Sequence, residues 1–137
     1  KGTSVVYVRS RKKTKEIAHF LINNGVSADF YHAGLINEER SRKQLDWINN
    51  KIRVIVSTNA FGMGIDKPDV RTVVHLDLPD SLEAYFQEAG RAGRDEKKAY
   101  AILLVEQADR MYLEQRIVSS FPPIEIIKQV YQALANY

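Results

Sequence analysis

Residues 53–68 read RVIVSTNAFGMGIDKP, a nearly unbroken apolar run that empties into a glycine-rich loop. A strand with one wet face alternates apolar and polar residues, whereas a strand covered on both faces does not. The run at 53–57 is therefore read as a central parallel strand. The loop leaves from its carboxyl end, which is where ligands collect in an open parallel sheet.

The segments on either side repeat the same unit. SVVYV at 4–8 is a β-branched strand, and the helix after it carries Ile17, Phe20, Leu21 and Asn24 on one face before Gly25 stops it. SADFY at 27–31 is a second strand, and beyond the HAGL turn Asn37 is the expected cap of a helix. That helix has Glu38 and Glu39 in its first turn and Leu45 and Ile48 on its apolar side. RTVVHLD at 71–77 is a fourth strand, Ser81 caps LEAYFQEAG, and AYAILLV at 99–105 is a fifth strand before a short helix around Ala108 to Ile117. Strands alternating with helices imply right-handed crossovers and an α/β fold with a mostly parallel sheet. SSFPP at 119–123 breaks the alternation, and a final amphipathic helix carries Ile124, Ile127, Val130, Tyr131 and Leu134 as its stripe.

With 137 residues, 45% of them hydrophobic and 27% charged, the composition suits one globular domain. The net charge of +3 is too small to identify a partner, so only its placement carries information. The absence of cysteine excludes disulfides and thiolate zinc sites and suits a cytoplasmic protein. No apolar run approaches the roughly 20 residues of a membrane span. The abrupt start on a strand suggests a fragment of a longer chain, and a monomer is expected.

The three histidines lack metal-ligand spacing, so no metal is expected on this chain. It also lacks GxxxxGK[ST], the phosphate loop that a nucleotide hydrolase of that class needs, and an acidic pair for magnesium. Catalysis by this chain alone is not expected. Residues 87–95, QEAGRAGRD, place Arg91 and Arg94 directly after Gly90 and Gly93. Planar guanidinium groups beside glycines suit phosphate oxygens, and at the end of a helix they would face a neighbour rather than the strand-end crevice. The alternative is a surface network with Glu83, Glu88 or Asp95. Thr58 to Asp66 is either a phosphate-binding turn or a plain connection, with Phe61 and Met63 as core fillers. Arg9, Arg11, Lys12, Lys13 and Lys15 crowd a helix start, where cations oppose the dipole. They mark either a nucleic-acid contact or a solvated face, with Ser10 as the N-cap.

SVVYVRSRKKTKEIAHFL (4–21), FYHAGL (30–35), VIVSTNAFGMGIDKPDVRTVVH (54–75) and SLEAYFQEAGRAGRD (81–95) together resemble helicase motifs IV, IVa, V and VI of the RecQ-type DNA helicases. The resemblance covers residues 2 to about 118. It implies a RecA-like three-layer α/β/α lobe at 1–118, with 119–137 a linker and the start of a following helical module. The implied role is the second motor lobe of an ATP-dependent 3′ to 5′ DNA helicase. ATP and Mg²⁺ would be held mainly by the N-terminal lobe of the same protein, and single-stranded or partly duplex DNA would be the partner. By position, Arg94 would be the arginine finger, Arg91 a second phosphate or coupling arginine, and Gln87 a polar link to nucleotide or water. Asp66 and Gly64 would meet the ribose and the other lobe. Ser10, Arg11, His32, Gly34, Thr58 and Asn59 would line the DNA backbone, although His32 could instead only pin its turn. The family usually has glycine after GRAGRD, and here Glu96-Lys97-Lys98 follows; the family's zinc-binding and winged-helix modules are also not found in these 137 residues. An RNA helicase lobe and a non-catalytic nucleic-acid-binding module are the competing readings.

Overall fold

The computed structural model describes residues 2–62 and 64–135. Met63 lies outside the described residues. The chain forms two compact units that divide between Val105 and Glu106.

The first unit runs β1 (Thr3–Tyr7), α1 (Arg11–Asn23), β2 (Ala28–Tyr31), α2 (Asn37–Ile48), β3 (Val54–Ser57), β4 (Val70–His75), α3 (Leu82–Ala89) and β5 (Tyr100–Leu103). Its five strands form one sheet in the order β2-β3-β1-β4-β5, and every pairing is parallel. This is the expected α/β architecture. The second unit holds α4 (Gln107–Ser120) and α5 (Ile124–Ala135), whose apolar stripe from Ile124 to Leu134 is exposed in this chain.

Successive strand residues point to opposite sheet faces, so each central strand feeds two cores. Val5, Tyr7, Ile55 and Val73 pack with Trp47, Phe61, Ile65 and Val70 on one face. Val6, Val8, Val54 and Val56 pack with Ala18 on the other, flanked by Ile17 and Leu21. All of β3 is buried, as its apolar run requires, whereas β5 at the sheet edge is exposed along its length. Fully burying a side chain such as Ile55 is worth about 1.5–3 kcal/mol, so these two clusters hold the layers together.

Three expectations about the helices are corrected. Phe20 is 62% exposed, whereas Ile17 and Leu21 of that face do pack on the core beside the buried Thr14 and Ala18, with Thr14 Oγ1 donating to the Arg11 carbonyl at 2.6 Å. In α2 the N-cap is Ile36, without a side-chain cap bond, and Asn37 is already helical. Leu45 of that helix is exposed and Trp47 fills the core, its indole N–H donating to the Ser4 carbonyl at 3.2 Å. Ser81 does cap α3, accepting from the Ala84 amide at 3.1 Å.

Candidate functional site

The sheet order sets β2, β3 and β1 side by side, so their carboxyl-end loops form one continuous edge. Ser10 caps α1 by accepting from the Lys13 amide at 3.0 Å. Arg11, in the first turn, lies across Gly34 at the end of β2, and a Cβ there would meet its Nη1 at 2.7 Å. His32 is buried and stacked on Phe30 at 5.8 Å, and neither ring nitrogen finds a partner among the described residues. Its burial, followed by the charges of Lys15 and Arg11, holds its pKa below the ordinary histidine value. Burial and the two cations thus favour the neutral imidazole, whose ring nitrogens are left without partners among the described residues. Thr58 and Asn59 follow β3 and share a cavity of about 100 Å³ with Arg9, His75, Asp77 and Glu88.

Asp77 was not singled out in the sequence, yet it organises this edge. Its carboxylate accepts from the Arg9 amide at 2.9 Å and from Lys13 Nζ at 2.6 Å, tying the end of β4 to the start of α1. Partial burial pushes its pKa up, but these two donors outweigh that and hold it below the usual carboxylate value. One lysine of the basic run is thus already neutralised inside the fold.

The second group of residues gathers where α3 ends against the loop after β3. Arg94 is 40% exposed and donates to Asp66 at 3.0 Å, with longer contacts to the Ile65 and Gly90 carbonyls at 3.4 Å. The Asp66 carboxylate is 85% exposed, and Gly64 beside it has φ +74 with open space where a side chain would stand. Arg91 turns inward instead. Its Nη1 donates to the Gly62 carbonyl at 2.5 Å, it meets the Tyr7 hydroxyl, and its buried Nε has no acceptor among the described residues. Gly62 has φ +113, and a Cβ on it would overlap the Arg91 guanidinium, so glycine is needed there twice over. Gln87 is exposed on α3.

The acids considered as partners for these arginines are otherwise engaged. Glu88 pairs with His75 at 2.8 Å, and Asp95 pairs with Arg71, which also holds the Pro68 carbonyl at 3.0 Å. Glu83 lies in the first turn of α3. The arginine side chains are thus joined to the glycine loop, with only a long Arg94 contact to the Gly90 carbonyl at the end of α3. Glu96, where a glycine would be usual, has φ +61 and donates its amide to the Gly93 carbonyl at 2.9 Å. Among the described residues there is no cluster of three or more His, Cys, Asp or Glu that would hold a metal, and no helix long and apolar enough to cross a membrane.

Comparison with known proteins identifies the family and the fold. Residues 1–96 match the helicase conserved C-terminal domain. All of this chain is similar to the ATP-dependent DNA helicase RecQ of Haemophilus influenzae, at 50% identity, and 84% of it to the putative ATP-dependent RNA helicase R290 of Acanthamoeba polyphaga mimivirus, at 44%. The chain spans 23% and 21% of those two proteins. The structure of Dbp5 of S. cerevisiae bound to RNA and ADP BeF3 superposes with a TM-score of 0.71 at 29% identity, over 85% of this chain and 31% of that one. The chain belongs to the helicase conserved C-terminal domain family, with RecQ-type helicases among its relatives at half identity.

Proposed function

We propose that this chain is the second RecA-like lobe of an ATP-dependent DNA helicase that moves 3′ to 5′, completing a nucleotide site whose phosphate loop belongs to another lobe. The observation that carries this reading is the Arg94–Asp66 pair. Both groups are substantially exposed, and a solvated ion pair of this kind is worth only about 0–1 kcal/mol. Arg94 can therefore exchange one carboxylate for a phosphate at little cost. Among the relatives, the H. influenzae protein bears the name of an ATP-dependent DNA helicase, and Dbp5 was captured with RNA and ADP BeF3 together.

The residues present fit such a nucleotide. Arg94 acts as the finger, and the released Asp66, beside the open Gly64, accepts from a ribose hydroxyl or meets the other lobe. Gln87, exposed on the last turns of α3, supplies a polar contact to nucleotide or water. Arg91 is the coupling arginine, because it grips the loop through the Gly62 carbonyl. ATP with Mg²⁺ supplies the phosphoryl transfer, and this lobe supplies positioning and charge. Along the strand-end edge, Ser10, Arg11, His32, Gly34, Thr58 and Asn59 take the DNA backbone, with His32, whose ring nitrogens have no partner among the described residues, lying in the field of Arg11 and Lys15. Such contacts position a strand without reading its sequence. In this reading the lobe occupies 1–118, and 119–137 leads into the next module.

An RNA helicase lobe is the second reading, favoured by the mimivirus relative. Unwinding by the full-length protein distinguishes the two. With ATP, a DNA duplex with a 3′ tail should open, while a 5′-tailed DNA duplex and an RNA duplex should not. Opening of the RNA duplex alone, or equal opening from both tails, overturns the DNA or the 3′ to 5′ assignment respectively. ATP splitting at a motor's pace by the 137-residue chain on its own overturns the shared-site reading altogether.

A further inference from the structure

Helix α3 buries none of its residues, and Leu82 and Phe86 on it are 73% and 69% exposed. Apolar packing therefore does little to fix the helix that delivers Arg91 and Arg94. What ties it to the sheet is polar and aromatic. His75, fully buried at the end of β4, holds Glu88 at 2.8 Å and packs against the Tyr85 ring at 5.3 Å. On its other side His75 stacks on Tyr7 at 5.3 Å and 19°, its register partner across the β1–β4 pairing. The Tyr7 hydroxyl donates to the Phe61 carbonyl at 3.3 Å and meets Arg91, whose own guanidinium holds the next carbonyl, that of Gly62.

These contacts touch the two candidate sites at once. Phe61 donates its amide to the Thr58 carbonyl at 3.3 Å, so a load on Thr58 and Asn59 reaches Phe61 through one turn of backbone. From Phe61 the path runs through Tyr7 to Arg91 and through His75 to Glu88, three residues before Arg91. We propose that Tyr7, with the His75–Glu88 pair, is an internal strut of positioning residues that converts strand occupancy at the carboxyl-end loops into placement of the arginine turn. This rests on the two-site reading above and deepens it. Tyr7, His75 and Glu88 line the same cavity as Thr58 and Asn59, and in this reading they act on the arginine turn by placing it.

The test uses the full-length protein, with poly(dT) as the strand, and compares Tyr7→Phe, Glu88→Gln and Glu88→Ala. Tyr7→Phe keeps the ring stack and removes only the hydroxyl. Glu88→Gln keeps an oxygen that can accept from His75. For a coupling of ordinary size, Tyr7→Phe and Glu88→Ala should each cut the stimulation of ATP turnover by DNA about tenfold, with DNA affinity and DNA-free turnover unchanged within about twofold. Glu88→Gln should retain most of the stimulation. Unchanged stimulation in Tyr7→Phe overturns the strut, as does a loss that merely follows weaker DNA binding or a lower melting temperature. Absence of DNA stimulation in the wild type overturns both this proposal and the reading beneath it. Wild-type turnover in Arg94→Ala beside an uncoupled Tyr7→Phe sinks the finger assignment alone.

Discussion

Replacing Arg94 by alanine separates what this side chain does for the fold from what it does for turnover. In the structure the guanidinium makes one solvated ion pair and two long carbonyl contacts, so its removal should cost at most about 1 kcal/mol. For a domain of this size, with about 2.1 cal/mol/K of unfolding entropy per residue, that is a fall in melting temperature of roughly 3–4 °C. An arginine finger, by contrast, contributes about 10³ to 10⁵ in rate, so turnover of the full-length protein should drop at least about a hundredfold. Binding of ATP, which the proposed reading assigns mainly to another lobe, should stay nearly constant. The measurements are a DNA-stimulated phosphate-release assay, a fluorescent-nucleotide titration and a melting curve on the same preparation. Turnover within a few-fold of wild type would refute the assignment, and so would a hundredfold loss accompanied by unfolding at the assay temperature.

Arg11→Ala should lower the salt slope of single-strand binding by about one unit, read from affinity at several salt concentrations, because the proposed phosphate contact is removed. Burial pushes the Tyr7 phenol up to about 12, partly offset by Arg91. Its neutral form is thus favoured in the fold, and that stability is intact below about pH 10 and lost as pH rises toward 12. Relative to Tyr7→Phe, the wild type should lose about 1.4 kcal/mol per pH unit across that window in urea titrations. Glu96→Gly should stabilise the lobe by about 0.5–1 kcal/mol in thermal or urea melts, since a glycine adopts φ +61 without the strain a side chain brings.

The sheet was legible because period and burial coincide in it. A run such as VIVS has only one environment that tolerates it, and the glycine loop after it marked the strand end where Thr58 and Asn59 stand. The helices were less legible because an apolar stripe gives a face without its centre. Leu45 and Trp47, two positions apart, stand on nearly opposite sides of α2, and which of them turns inward depends on where α2 settles against the sheet. The pairing of Arg94 with Asp66 and the inward turn of Arg91 join residues nearly 30 positions apart, a distance that no local pattern encodes. Asp77 escaped notice for the same reason: its two partners, Arg9 and Lys13, lie on the far side of a crossover.

The guanidinium of Arg11 resting where the side chain of residue 34 would project has an evolutionary corollary. The backbone at Gly34 has no left-handed torsion to forbid alanine, so the constraint on that position is borrowed from Arg11, 23 places earlier in the chain. Homologues that carry a side chain at residue 34 should have moved or shortened residue 11 to clear that space. The two positions ought to change as a pair.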